Sequence, residues 1–313
     1  TVAVLMGLFA LVPGLPFVPF VIGAAVLGYV AYKKANAPPE IEDVVAEVEE
    51  THSEKTIGDI LDLDEIHVEF SPDLVPMILD PATGLDARIN NMRKHVATSF
   101  GIILPEIRLT DDAGLGHGEY IIRIQGVEQA RDSLDPSRVL ALLPNDSSDL
   151  PAGRDVKEPV YGAPARWLAR ADADTAALEG ATVVNPAEVL ATHLLEVIKV
   201  NLPRILSLKS LRRLLDELGG LTDSIRSDAN RRLFDELIPE KVPMDMLLSV
   251  LRLLLEERVS IRNLPMIVEA IAEARATAAT PEAICEHVRQ HLAFQIIADV
   301  RATDGSVPLI QLA

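Results

Sequence analysis

Hydrophobic and polar residues are segregated first by region and only then by period. From Thr1 to Tyr32 there is no charged side chain, whereas from Lys33 onward apolar positions recur as in ordinary globular sequence. One continuous helix through the apolar start would run about 48 Å at 1.5 Å per residue, too long for a hydrocarbon layer of about 30 Å. Pro13, Gly14, Pro16 and Pro19 interrupt it, because proline lacks the amide donor and clashes with the preceding turn. The pattern predicts the end of one transmembrane helix (Thr1–Val12), a tight turn, and a last transmembrane helix from Phe17 to Tyr32, with Tyr29 and Tyr32 at the interface. The first segment is too short to span and does not begin with methionine, as expected of a piece of a longer protein. Lys33 and Lys34 follow directly, which places that end, and everything after it, on the cytoplasmic side.

After the membrane segment, residues 35–55 form an acidic linker with Pro38 and Pro39 followed by Glu40, Glu42, Asp43, Glu47, Glu49 and Glu50. Ile66, Val68 and Phe70 alternate with His67 and Glu69 as in a half-buried strand. Leu85, Ile89, Met92, Val96 and Phe100 follow helical spacing, and Gly101 stands where a helix-ending glycine belongs. Ile107 and Leu109, then Tyr120, Ile122 and Ile124, predict further strands, with a hairpin loop across Asp111–Gly118. Val139–Leu143, bounded by Pro136 and Pro144, predicts a buried strand. Residues 56–184 thus form two interleaved α/β subdomains.

From Asn185 the periodicity becomes helical. Asn185-Pro186-Ala187-Glu188 supplies a capping side chain, a proline at the first helical position and a glutamate at the third. Leu190, Leu194 and Val197 make its apolar stripe. Helices are also predicted after Ser207, around Leu247–Leu254, after Asn263, and from Thr280-Pro281-Glu282. Residues 185–276 form a helical subdomain, and 277–313 begin a truncated C-terminal α/β subdomain whose first strand is Val307–Leu312. The fold class is α+β: small α/β sandwiches and an all-helical subdomain attached to a transmembrane hairpin.

Composition narrows the function. The 313 residues are 49% hydrophobic with a formal net charge of −18, so a phosphate backbone is repelled and nucleic acid is excluded as a partner through a basic face. The single cysteine, Cys285, allows no internal disulfide and lies in an apolar-periodic segment, as a buried structural thiol does. Gly114, Gly116 and Gly118 lack the Lys-Ser/Thr of a phosphate loop and precede a strand. Asp111 and Asp112 fit a turn, and His193 falls on the apolar face of its helix. His287 and His291 are one helical turn apart, but only Cys285 and Glu286 stand near enough in sequence to complete a metal set. No catalytic residue, cofactor or metal site is assigned.

Several segments in order resemble one family. These are Val12-Pro13-Gly14-Leu15-Pro16 with Pro19-Phe20; Arg93-Lys94 with Phe100-Gly101 and Pro105; and Tyr120–Ile124 with Gly126-Val127-Glu128. Val160–Ala165 with Trp167, Gly180–Pro186 running into Ala191–Leu194, and Glu257–Leu264 with Ile267 and Glu269 complete the set. They are similar to the FlhA family, the large export-gate subunit of flagellar and virulence-type III secretion systems. The resemblance implies a bacterial inner-membrane protein, multi-pass in full length, whose cytoplasmic region forms a nine-membered ring. It implies docking of export chaperone–substrate complexes, contact with other export-apparatus membrane subunits and the associated ATPase complex, and no enzymatic activity or cofactor. The docking groove it implies holds Phe100, Ile102 and Ile103, so that an aspartate at Ile102 would weaken chaperone binding while sparing the fold. Glu40, Asp43 and Glu47 in the linker would contact the neighbouring subunit. A flagellar gate is favoured; a virulence-type gate, or a membrane-tethered enzyme or sensor with another ligand site, are the alternatives.

Overall fold

The computed structural model describes residues 63–80, 84–143, 150–302 and 305–307, all within the second of two compact units, Asp62–Ala313. The apolar start, the linker acids Glu40, Asp43 and Glu47, and all but the first residue of the strand expected at Val307–Leu312 lie outside these residues. Among the described residues no helix is long and apolar enough to cross a membrane.

The first sheet is built around β1 (Ile66–Phe70), whose Ile66, Val68 and Phe70 are buried while His67 and Glu69 are half-buried. After β1 come a short helix, α1 (Val75–Ile78), and the long helix α2 (Leu85–Phe100). The chain then returns as β2 (Ile107–Asp111), parallel to β1. A parallel pair needs such a crossover, and α2 covers the sheet with Leu85, Ile89, Met92 and Val96. β3 (Glu119–Ile124) lies antiparallel on the other side of β1, and β4 (Val127–Ser133) pairs with β3. Gln125 (φ 50°) and Gly126 (φ 77°) make the two-residue turn between them, the left-handed pair whose twist suits a hairpin.

The loop from Asp112 to Gly118 is not a hairpin. The strand order is β2-β1-β3-β4, so β2 and β3 flank β1 and the loop crosses its end. Alternation within a strand reveals its faces but not its neighbours. The crossing is tied down by Asp112 N–H to the Phe70 carbonyl (2.9 Å) and Ser71 N–H to the Glu119 carbonyl (2.9 Å). Gly118 (φ 74°) donates its N–H to the Asp73 carboxylate at 3.0 Å, and a Cβ there would stand 2.0 Å from the Leu134 carbonyl oxygen.

The second sheet is antiparallel throughout, in the order β6-β7-β5-β8, from β5 (Arg138–Leu142), β6 (Arg154–Lys157), β7 (Pro164–Ala169) and β8 (Thr182–Val184). β5 is buried on both faces, as its short apolar run predicts. Val139 and Ala141 join a small core with Leu168 and with Ala176 of α3 (Ala173–Leu178). Leu140 joins the main core with Ala165 and Trp167. β6 has no such run, and its burial pattern is largely exposed; hydrogen bonds to β7, not hydrophobic period, define it.

Helix α4 (Pro186–Ile205) begins as its capping sequence predicts, with Pro186 at the first turn and the reciprocal Asn185–Glu188 box in place. Leu190, Leu194, Ile198, Leu202 and Ile205 are fully buried, each contributing about 1.5–3 kcal/mol by leaving water. They serve packing partners on several sides, because α4 touches α2, β3, β5 and α7 (Met244–Glu256). The remaining helices are α5 (Leu208–Gly219), α6 (Ser224–Leu237), α8 (Leu264–Ala274), α9 (Pro281–His291) and α10 (Ala293–Val300). Ser207 and Thr280 cap α5 and α9 through their hydroxyls. Helix α6 is absent from the periodic pattern because only Phe234 and Leu237 among its apolar residues are buried; the Asp223 carboxylate caps it, accepting from Ile225 N–H at 3.1 Å.

One polar bond runs through this packing. The Tyr120 hydroxyl on β3 lies 2.7 Å from His193 Nδ1 on α4, both buried. Tyr120→Phe leaves that nitrogen without a partner, and urea unfolding should show a loss of about 1–3 kcal/mol. Burial also lowers the pKa of His193 below its usual 6.5, against smaller opposing effects of Asp132 and Glu158. The unfolded chain therefore takes up the proton first, so stability is lost as pH falls from about 6.5 toward the folded-state value. His67 shifts the same way, also by burial. Urea midpoints between pH 7.5 and 5.5 should fall less steeply in His193→Gln than in the natural chain.

Candidate docking surface

Helix α2 ends on a contact, not merely on a turn. Gly101 takes the left-handed conformation (φ 79°) and donates its N–H to the Ala97 carbonyl at 3.1 Å. A Cβ at Gly101 would stand 2.5 Å from the Arg262 backbone nitrogen and 2.7 Å from its Cα. One residue earlier, the Phe100 carbonyl accepts from Ile261 N–H at 2.9 Å. The end of α2 is thus seated on the connection between α7 and α8, where Arg258 also has a positive φ of 61°. Glycine is required here twice over, for its dihedral and for its missing side chain.

From this junction Phe100, Ile102 and Ile103 part company. Phe100 is half-buried and lines an open, polar depression of about 630 Å³ with Thr98, Ser99, Arg258, Ser260 and Arg262. Ile102 is 1% exposed and belongs to the core. An aspartate there would bury an unpaired carboxylate, so loss of the fold, not selective loss of docking, is the expected result. Ile103 is half-buried and lines a separate depression of about 500 Å³.

The Ile103 depression has the more distinctive chemistry. Ala97, Ile103 and Leu104 make its apolar part, and Arg93, Lys94 and Arg213 stand around them with a single acid, Glu106. On a chain of net charge −18 this is a local inversion of sign. Arg93 Nε is buried and has no hydrogen-bond partner. Arg93 and Lys94 come from α2, but Arg213 comes from α5, and no signal in the sequence joins them. Cys285, by contrast, is buried, and burial pushes its thiol up to about 11, so it stays protonated at neutral pH and unreactive.

The whole chain, residues 1–313, matches the FHIPEP family. The chain belongs to that family. Among FHIPEP relatives, it is 34% identical over 313 residues to the flagellar biosynthesis protein FlhA of Caulobacter vibrioides, covering 98% of this chain and 44% of that protein. The chain therefore spans less than half the length of this FHIPEP relative. Of solved structures, it resembles the Chlamydia pneumoniae CdsV protein in complex with CdsO (TM-score 0.65, 20% identity, 78% of this chain and 74% of that one). It also resembles nonameric EPEC SctV-C (TM-score 0.56, 19% identity, 78% and 69%). At those identities the likeness is one of fold: this FHIPEP chain shares the mixed α/β architecture of those domains.

Gly101→Ala tests the junction on which both depressions depend. The left-handed backbone alone should cost about 1–2 kcal/mol, and the clash with residue 262 adds to it. A lower urea midpoint together with a changed near-ultraviolet circular dichroism spectrum is the expected outcome.

Proposed function

We propose that this chain is the cytoplasmic receptor part, with the adjoining membrane hairpin, of a flagellar type III protein export gate. It docks chaperone–substrate complexes and passes their cargo to the membrane channel, and it performs no chemical step. The observation that carries this reading is the 34% identity to a flagellar FlhA across 98% of the chain. The likeness to CdsV and SctV-C, at 20% and 19% identity, supports the fold alone.

Docking is assigned to the Ile103 depression. Its apolar part supplies burial at about 25 cal/mol per Å² before association costs are deducted. Arg93, Lys94 and Arg213 add orientation and a preference for acidic partners. Phe100 stands beside it as a second contact, and Ile102 supports both from within. Residues 1–34 tether the protein in the bacterial inner membrane, with everything after Lys34 in the cytoplasm. Glu40, Asp43 and Glu47 meet the neighbouring subunit in a nine-membered ring, a reading supported by the nonameric state of SctV-C. Contact with other export-apparatus membrane subunits and with the associated ATPase complex follows from the same reading; that such domains bind other proteins is supported by the complex of CdsV with CdsO.

The direct test is calorimetric titration of the chain with a purified chaperone–substrate complex. Ile103→Asp and the double variant Arg93→Glu/Arg213→Glu should each weaken binding by about tenfold or more, equivalent to at least about 1.4 kcal/mol. Circular dichroism should remain native, since Ile103 is only half-buried. Unchanged affinity in both variants would remove the docking assignment.

A further inference from the structure

Away from the docking surface, three ligand atoms converge where α8 and α9 lie side by side. His287 and His291 are one turn apart on α9, so their rings leave the same face, with centroids 4.5 Å apart. Glu273, in the last turn of α8, sends its carboxylate between them. Its Oε2 is 3.2 Å from His291 Nε2 and 3.7 Å from His287 Nε2. The three ligand atoms all lie within 4.8 Å of one another.

Nε2 of each ring faces the Glu273 carboxylate. His291 Nδ1 lies 3.1 Å from the His287 carbonyl oxygen, which can only accept, so Nδ1 carries a proton and Nε2 is the ring atom suited to a metal. His287 Nε2 is buried and has no hydrogen-bond partner. An ion held among them would satisfy both ring nitrogens and the carboxylate oxygen at once. The neighbours that the sequence offers as completing ligands are engaged elsewhere: Glu286 is paired with Arg289, which also holds Glu257, and Cys285 is 3% exposed within the core.

We propose that Glu273, His287 and His291 form a binding site for one divalent transition-metal ion, with zinc the best match. Two imidazoles and one carboxylate suit zinc, which binds each at about 2.0–2.2 Å and prefers four tetrahedral ligands; magnesium and calcium take oxygen instead. The side chains are 64%, 36% and 38% exposed for Glu273, His287 and His291, so they can close around an ion by rotamer changes. The fourth position is left to water. A bound ion clips α8 to α9 across the 275–280 turn and holds the end of the helical region together. Nothing in this site depends on the docking surface.

The test is calorimetric titration of the EDTA-treated chain with zinc chloride, beside magnesium chloride. One saturable zinc site is expected, with no response to magnesium, and zinc should raise the melting temperature. His291→Ala and Glu273→Gln should each weaken zinc binding by about tenfold or more and lose the thermal shift. His95→Ala, at an exposed histidine on α2, should retain both. Because Glu273 is the most exposed of the three, Glu273→Gln keeps the test informative should His291→Ala fail to fold. Absence of saturable zinc binding, or equal affinity in the natural chain and in Glu273→Gln, would overturn the site and leave an ordinary histidine–glutamate ion pair.

Discussion

A single helix of 20 residues, α4, must bury apolar side chains against α2, the two sheets and α7 at once. The main core of the described structure is arranged around that requirement. A helix facing solvent on one side needs one apolar stripe; α4 has buried positions over a wider arc, including Ala187, Val189, Leu190 and Leu194 in its first half. Its one buried ring with polar atoms, His193, is matched by the Tyr120 hydroxyl from β3. The bond settles which face of α4 meets the first sheet, since any rotation would leave two buried polar groups without partners. Residues from β1 to α9 consequently share one core.

The junction at Gly101 carries that rigidity outward to the surface. α2 is held along its length by the core and at its end by backbone contact with residues 261–262. The residues that follow are therefore distributed by geometry: one faces a polar depression, one goes inward, one faces a basic one. Surface ion pairs contribute little to this arrangement. Arg131 with Glu128, and Asp155 opposite Arg166, stand well in solvent, where screening removes most of the value of such pairs. Burial and backbone contact hold the protein, leaving its charges free to set what it meets.

That division suits a protein working by contact. The chain is acidic in sum, yet Arg93, Lys94 and Arg213 gather around an apolar floor, so partner choice rests on a local field and not on net charge. Phe100 and Ile103, in separate depressions, offer two footholds on either side of one rigid junction. A partner spanning both would meet surfaces whose relative placement is set by a single glycine.

Elements whose signals are short-range were legible in the sequence. The Asn185–Glu188 box, the helix starts after Ser207 and at Thr280, the glycine after Phe100 and the alternation of Ile66, Val68 and Phe70 each depend on residues within about one turn or one pleat of one another, and each stands as predicted. Long-range placement was decided only in three dimensions. Nothing local says that β1 separates β2 from β3, that β6 pairs despite its polar pattern, or that α6 forms with so few buried residues. The same holds for function: Ile102 and Ile103 are adjacent and similar in sequence, but packing buries the first and exposes part of the second. Arg213 reaches Ile103, and Glu273 reaches His287 and His291, across stretches that no period connects. Periodicity is a property of neighbours along the chain, whereas a site is made by residues that the closing core brings together.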